Sequence, residues 1–379
     1  MIIRSGPQSE NFPRENEMKS IVFSGNEISV MNVEVPRELV SGHLFIKVVA
    51  VSVGPLDLGL IYPDLPTYFI DQNQSKGLGS DFSGVVVSVG DSVKRFKVGD
   101  EVFGVLGHPI REWSASEYIS VHESVCALKP GNISHDEAAS VASDALMAER
   151  ALRNTNTSST DSILITGGIS NIARILTQIA SSSMFDSVEW IAATVDSIQD
   201  KEYAESVGIA ETFVSSSNHG DWSLPFEAGI NKKVYDVVVD IVGDSKHAKR
   251  LLNRESGGRF VSLYNKISPV ELLDYEKRAS HEPIVKKRYR FLLNQLNTRL
   301  SYMLTGSSGR NSYCDGRYYS AIPTGDGEVL ERIAVLIETG IVTCLVHETF
   351  KLSRINEAVD LVKNNWRKIR GKVVIRIFE

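Results

Sequence analysis

One segment of the chain has the residue types and spacing of a phosphate-binding turn. Residues 163–166 are apolar and mostly β-branched, residues 167–173 are mostly small, and residues 172–180 are amphipathic. This order predicts a strand, a turn and a helix, and a G-x-G-x-x-G turn at that place binds a dinucleotide through the backbone amides of the helix start. The turn here contains Gly167, Gly168, Ser170, Asn171 and Ile172.

A carboxylate and an amine follow this turn at the spacing of a ribose-binding site. Asp196 comes about twenty residues later, directly after a predicted strand at residues 188–195. A carboxylate there hydrogen-bonds a ribose 2′-hydroxyl and repels a 2′-phosphate, which favours NAD. Lys201 could instead reach a 2′-phosphate, and a solvated carboxylate in a turn is the structural alternative for Asp196.

Two patterns of secondary structure divide the chain. From residue 19 to about residue 127, short runs rich in β-branched residues are separated by Gly, Pro, Asp or Ser, which predicts an all-β, barrel-like unit. After Pro130, strands alternate with helices, which predicts an α/β unit with a parallel, doubly wound sheet. Ser134, with Glu137 three residues later, is typical of a helix start. The strands of the sheet are predicted at residues 162–167, 188–195, 211–216, 235–242 and 258–264.

Size and composition limit the function classes. With 379 residues, of which 42% are apolar, the chain is expected to form two domains. A net charge of −6 disfavours a nucleic-acid-binding protein. The three cysteines are widely separated, which excludes a disulfide framework and a four-thiolate zinc site and favours a reducing compartment. These cysteines are Cys126, Cys314 and Cys344.

The N-terminal residues predict neither a targeting sequence nor a membrane anchor. Residues 1–17 contain three glutamates and no apolar segment, so we predict a disordered tail. No apolar run in the chain approaches the roughly 20 residues that a membrane span needs. The expected location is cytoplasmic.

Four segments carry motifs that occur in this order: GSDFSGVVVSVGDSVKRFKVGDEVFGV at 79–105, and residues 114–140, 235–263 and 350–377. Together they resemble the medium-chain dehydrogenase/reductase superfamily, in its zinc-free quinone-oxidoreductase-like branch. The resemblance implies an α/β fold with two domains. These are a GroES-like β-barrel domain at 18–139, completed by 319–379, and a Rossmann-type cofactor domain at 140–318.

The resemblance shows how far the turn departs from the family pattern. Ser170 and Asn171 stand where the family usually has two glycines, and Ala173 replaces a third. Because Asn tolerates a left-handed backbone, we expect the turn to survive. The Ser170 and Asn171 side chains are expected either to narrow the space through which the pyrophosphate approaches the backbone or to donate a hydrogen bond to it. Retained binding of NAD or NADP and a turn that only joins strand to helix both stay open.

Three further departures lie where the resemblance places the nicotinamide. Gly54 replaces an Asn, Met147 replaces a Thr, and Tyr264 replaces a Gly. Tyr264 is predicted to fill the nicotinamide pocket or, as the alternative, to donate a proton to a reduced substrate. The predicted substrate cleft contains Gly54, Asp57 and Tyr62. The predicted cofactor-binding residues are Gly167, Gly168, Ser170, Asn171, Ile172, Asp196, Lys201, Gly243 and Met147.

The resemblance also predicts that no zinc is bound. Zinc-dependent relatives place metal ligands at the positions of Gly54 and Ser80, and neither side chain can bind zinc. The eight histidines show no paired metal-binding spacing. We therefore predict a site without metal.

A basic amphipathic segment occupies residues 275–304, where lysines and arginines accompany an apolar stripe at helical spacing. Such a helix can lie on an anionic membrane surface, and peripheral membrane contact through 277–304 is one prediction. The favoured alternative is an ordinary packing helix with a charged outer face.

These patterns favour a zinc-independent, NAD(P)H-dependent reductase of quinones or activated carbonyls and enones, active as a homodimer or a monomer. The alternative is a non-catalytic relative that acts in binding, membrane-associated targeting or scaffolding. Fungal Ast-type proteins, linked to delivery of the plasma-membrane proton pump, are similar in their altered cofactor turns.

Overall fold

The structure is a computed structural model. It describes residues 13–24, 27–37, 39–55, 57–58, 76–106, 113–185, 187–214, 234–243, 245–263, 318–320 and 325–378. Tyr62, Tyr264, Cys314 and residues 277–304 lie outside these ranges, so the predictions made for them stay predictions.

The first domain is built from β-strands that come from both ends of the chain. A three-stranded sheet has the order β2-β1-β4, and a seven-stranded sheet has the order β15-β16-β3-β5-β6-β8, with β7 paired to β3. The strands are β1 (Glu17–Ser24), β2 (Glu27–Glu34), β3 (His43–Val53), β4 (Lys76–Gly77), β5 (Asp81–Val89), β6 (Glu101–Val105), β7 (Tyr118–His122), β8 (Cys126–Leu128), β15 (Val346–Lys351) and β16 (Lys372–Arg376).

Strand β3 organises this domain because it is long enough to serve several neighbours. One edge pairs with β5, while the other edge pairs with β7 near His43 and with β16 near Val53. Leu44, Ile46 and Val48 occupy alternate positions of β3 and are fully buried in the barrel core. Phe45, on the opposite face of β3, is buried in a separate cluster, so this part of the strand is covered on both faces.

The second domain is an α/β unit with one six-stranded sheet. The strand order is β11-β10-β9-β12-β13-β14, and every pair in it is parallel. The predicted parallel sheet is therefore confirmed. Its strands are β9 (Ser162–Thr166), β10 (Trp190–Val195), β11 (Glu211–Val214), β12 (Val237–Asp240), β13 (Arg259–Ser262) and β14 (Tyr318–Ser320).

The described helices lie mainly in and around this second domain. They are α1 (His135–Asn154), α2 (Asn171–Ala180), α3 (Ile198–Ser206), α4 (Ser245–Ala248), α5 (Gly327–Glu338) and α6 (Ile355–Asn365). Helix α6 lies between β15 and β16 in the chain and packs on the barrel core through Ile355 and Val359. Among the described residues, no helix has the length and apolar character to cross a membrane.

Helix α1 joins the two domains. The predicted capping box is present, because the Ser134 side chain accepts a hydrogen bond from the Glu137 amide and the Glu137 side chain accepts one from the Ser134 amide. Most of the helix is buried, and Ala, Ser and other small residues let it pack closely against strands of the barrel and against α2. Three buried carboxylates on α1 are each paired with a cation from another element. These pairs are Asp136 with Arg376, Asp144 with Lys372, and Glu149 with Arg332.

The prediction of a disordered tail is wrong at its C-terminal end. The Arg37 guanidinium donates hydrogen bonds to the Pro13 carbonyl and to the Asn16 side chain. The Val35 amide donates one to the Asn16 carbonyl, and Glu17 already belongs to β1. Long-range hydrogen bonds of this kind order a polar segment that local sequence patterns cannot place.

Candidate functional site

Two glycines build the turn between β9 and α2. Gly167 has φ = +83°, and a Cβ there would lie 2.6 Å from Val242 Cγ1. A Cβ on Gly168 would lie 2.6 Å from Ala193 Cβ, and the Gly168 amide donates a 2.8 Å hydrogen bond to the Thr194 carbonyl. Both positions therefore need glycine, since the turn is wedged between the ends of β10 and β12.

Ser170 is the N-cap of α2, and its predicted role in cofactor binding stays a prediction. Its backbone is extended, with φ = −67° and ψ = 152°, and its Oγ accepts a hydrogen bond from the Ala173 amide as the N-cap of α2. Serine is among the residues that helix N-caps prefer. Neither Ser170 nor Asn171 has a positive φ, so the turn persists without the left-handed backbone that we expected there.

The Asn171 side chain points into the protein. Only 5% of the residue is exposed. Its Nδ2 donates hydrogen bonds to Asp144 Oδ2 at 2.8 Å and to the Ser140 carbonyl at 3.3 Å. Its Oδ1 accepts from Arg174 Nη2 at 2.8 Å. The expectation that this side chain narrows the approach to the turn is therefore wrong.

The start of α2 leaves backbone donors free. Within the described part of the chain, the amides of Asn171 and Ile172 have no hydrogen-bond partner, whereas the Ala173 amide is bonded to Ser170 Oγ. Free amides in the first turn of a helix, together with the helix dipole, favour a phosphate group. The turn therefore fits the pyrophosphate of a dinucleotide.

The strand order places this turn at the natural ligand crevice of the sheet. Strand β9 is flanked by β10 on one side and β12 on the other, so the connections leave β9 in opposite directions. In such sheets ligands bind outside the carboxyl ends of the strands at this switch point. The turn, the end of β10 and the end of β12 all meet there.

Asp240, which sequence analysis missed, holds the end of β12 to the end of β9. The carboxylate is fully buried and accepts hydrogen bonds from Thr166 Oγ1 at 2.7 Å and from the Gly243 amide at 2.9 Å. Gly243 has φ = +85°, which suits the tight turn around the carboxylate. The available signal was a carboxylate ending an otherwise apolar strand.

Asp196 and Lys201 follow the carboxyl end of β10, which is parallel to β9 and ends beside the turn. Asp196 is exposed and follows β10 directly. Lys201 Nζ lies 3.5 Å from Glu205 Oε1, one turn further along α3. The roles predicted for both residues stay predictions.

The barrel contributes Gly54 and Asp57 to the predicted cleft. Gly54 follows β3, and its amide donates a 2.8 Å hydrogen bond to Asp57 Oδ2. Burial and the neighbouring Asp81 raise the pKa of Asp57 to about 6, although Lys372 and the Gly54 amide act in the opposite direction. Asp57 can therefore gain or lose a proton near neutral pH.

Asp57 belongs to an ionic cluster that also contains Asp81, Asp144 and Lys372. Lys372 Nζ lies 2.6 Å from Asp81 Oδ2 and 3.2 Å from Asp144 Oδ1. Burial raises the pKa of Asp144, and the carboxylates Asp144 and Asp81 raise the pKa of Lys372 against the opposing effect of burial. One cation thus faces three carboxyl groups, and of these Asp81 adds to the effect of burial in raising the pKa of Asp57.

Two further predicted positions have a defined setting. Met147 is 7% exposed and belongs to the large core that α1 shares with the second domain. Ser80 is buried beside Asp81. Among the described residues, no group of three or more His, Cys, Asp or Glu side chains is arranged to hold a metal ion. The predicted absence of zinc stays a prediction.

Comparison with known sequences agrees with this architecture. The sequence model of the alcohol dehydrogenase GroES-like domain matches residues 40–147, and that of a zinc-binding dehydrogenase domain matches residues 210–375. Together the two models match most of the chain, which belongs to the medium-chain dehydrogenase/reductase superfamily.

Individual relatives cover most of the chain. It is 29% identical over 294 residues to 2-methylene-furan-3-one reductase of Solanum lycopersicum, covering 73% of this chain and 72% of that protein. It is 28% identical to a chloroplastic NADPH-dependent alkenal/one oxidoreductase of Arabidopsis thaliana, covering 76% and 77%. The structure of a quinone oxidoreductase from Coxiella burnetii superposes with a TM-score of 0.72 at 21% identity, covering 95% of this chain and 99% of that one.

Proposed function

We propose that this protein is an NAD(P)H-dependent reductase of enones and quinones. The observation that carries the proposal is the pair of Asn171 and Ile172 amides, which have no hydrogen-bond partner among the described residues, at the helix start beside the switch point of the sheet. The names of the tomato and Arabidopsis relatives, which are reductases of a furanone and of alkenals and enones, support the substrate class.

A bound nicotinamide cofactor would supply a hydride to the substrate. The Asn171 and Ile172 amides would hold the pyrophosphate, and Asp196 would accept a hydrogen bond from a ribose hydroxyl. Asp57, with its pKa raised to about 6, would exchange a proton with groups in the cleft near neutral pH. We propose that no zinc takes part, because Gly54 and Ser80 stand where zinc ligands would be needed.

Cofactor binding tests this proposal directly. We expect the purified protein to bind NADPH or NADH in a calorimetric titration, and to consume it when an enone or a quinone is added. Absence of binding by both cofactors would contradict the proposal and favour a non-catalytic relative. If the protein binds a cofactor but converts no enone or quinone, the proposed cofactor site stands and the proposed substrate class is wrong.

The Gly167→Ala variant should weaken cofactor binding about tenfold or more, because alanine is strained at φ = +83° and its Cβ would meet Val242. Gly340→Ala is the matched control. Gly340 also has a positive φ, +75°, yet no atom lies within 4 Å of the Cβ position. The measurement is the cofactor Kd of each folded variant, and equal Kd values for the two variants would show that the turn does not hold the cofactor.

The Asp196→Ser variant should lose about tenfold of any preference for NADH over NADPH, because the variant lacks both the hydrogen bond to a ribose 2′-hydroxyl and the repulsion of a 2′-phosphate. Glu202→Ser, which removes an exposed carboxylate from α3, should leave the preference unchanged. The ratio of the two Kd values measures the effect. Equal affinity of the unmodified protein for both cofactors would show that Asp196 does not determine the cofactor preference.

A further inference from the structure

Asn171 occupies a position between a buried anion and a buried cation. Its Nδ2 donates to Asp144 Oδ2, and its Oδ1 accepts from Arg174 Nε at 3.2 Å and Nη2 at 2.8 Å. Asp144 and Arg174 are themselves 6% and 3% exposed. Neither group can turn to water, so both depend on partners inside the protein.

A carboxamide can serve both neighbours at once. An amide side chain has an NH₂ donor and a carbonyl acceptor. Aspartate at this position would repel Asp144, lysine would repel Arg174, and glycine would leave both without this bridge. The residue that replaces a family glycine thus matches the charges around it.

The bridge connects the turn to two distant parts of the chain. Through Asp144 it reaches Lys372 in β16. Through Arg174, whose Nη1 donates to Thr343 Oγ1 at 2.6 Å, it reaches the segment that follows α5. The first residue of α2 is therefore held by elements of both domains.

We propose that Asn171 is a positioning residue for the cofactor turn: by bridging Asp144 and Arg174 it fixes the first turn of α2, so that the Asn171 and Ile172 amides point at the pyrophosphate. This rests on the proposed function and deepens it. Preorganised donors bind better than donors that must be ordered by the ligand.

The proposal reverses the outcome expected from the sequence. If the side chain narrowed the approach, Asn171→Gly would tighten cofactor binding by restoring the family glycine. Because the side chain is turned inward, we expect Asn171→Gly and Asn171→Ala each to weaken binding of NADPH or NADH about tenfold or more, as losing hydrogen bonds to two charged groups implies.

Two readouts test the proposal. Calorimetry gives the Kd of each variant, and hydrogen exchange of the cofactor-free protein gives the protection of the first turns of α2, which should fall in Asn171→Ala. Ser170→Ala removes the cap but leaves the bridge, so a double-mutant cycle of Asn171→Ala with Arg174→Gln should show coupling that Ser170→Ala with Arg174→Gln does not.

The outcomes separate this proposal from the proposed function. Unchanged or tighter cofactor binding by both Asn171 variants overturns the positioning role and leaves the reductase proposal intact. If the unmodified protein binds neither cofactor, the reductase proposal fails. In that case hydrogen exchange alone tests whether the Asn171 bridge fixes the first turn of α2. Unchanged protection of α2 in Asn171→Ala would show that it does not.

Discussion

Replacing Lys372 by methionine should lower the free energy of unfolding by about 3–5 kcal/mol, the range found when one partner of a buried ion pair is removed. Lys372 Nζ contacts Asp81 and Asp144 and also donates to Ser143 Oγ at 2.6 Å. Without the ammonium group, the buried carboxylates repel each other with no cation between them. Urea unfolding at pH 7 and at pH 5 measures the loss.

The pH dependence of this loss identifies its cause. Because burial raises the pKa values of Asp57 and Asp144, lowering the pH neutralises carboxyl groups of the cluster, and the loss should be smaller at pH 5 than at pH 7. Lys201→Met is the control, since Lys201 pairs with Glu205 at the surface, and it should cost only about 0–1 kcal/mol. Equal losses for Lys372→Met and Lys201→Met would show that the cluster does not depend on its cation.

Replacing Asp57 by asparagine should stabilise the protein above pH 6, by up to about 3 kcal/mol. The pKa of Asp57 is raised from 3.8 to about 6, so the folded protein holds this proton more tightly than the unfolded chain does. Stability should therefore fall as the pH rises from about 4 to about 6 and then level off. Asparagine keeps an oxygen for the Gly54 amide but carries no charge, so this fall should disappear from the unfolding free energies measured between pH 4 and pH 8.

If Asp57 exchanges a proton in the cleft, the Asp57→Asn variant should be less active although it is more stable. In the pH profile of kcat/KM, Asp57→Asn should remove a step near pH 6. Asp91→Asn, at an exposed turn after β5, is the control and should change neither profile. An Asp57→Asn variant that is no more stable at pH 8 than the unmodified protein would show that burial and the neighbouring Asp81 do not raise the pKa of Asp57.

Both expected results depend on the same ionic cluster, in which carboxylates from the barrel and from helix α1 contact the one ammonium group of Lys372. Asp81 comes from β5, Asp144 from α1 and Lys372 from β16. Any relative movement of these elements changes the distance between charged groups. The cluster thus makes the geometry of the predicted cleft, at Asp57, depend on the contact between the two domains.

Local patterns predicted most of the described elements and their order, although strand β14 (Tyr318–Ser320) was not among the predicted strands of the sheet. The alternation of strands and helices after Pro130 predicted the parallel sheet, and Ser134 with Glu137 predicted the start of α1. Gly167 lies in the predicted turn and has the positive φ that glycine adopts readily. These features depend on residues within a few positions of each other, so the sequence by itself determined them.

The partners of buried polar groups were decided only by the tertiary structure. Lys372 and Asp81 are 291 positions apart, and no local pattern pairs them. The same holds for Asn171, whose side chain was expected to face the cofactor but is turned to Asp144 and Arg174. The physical reason is that a buried charge accepts whichever partner the packing of distant elements brings near it, whereas a helix cap or a glycine turn is specified by its own backbone.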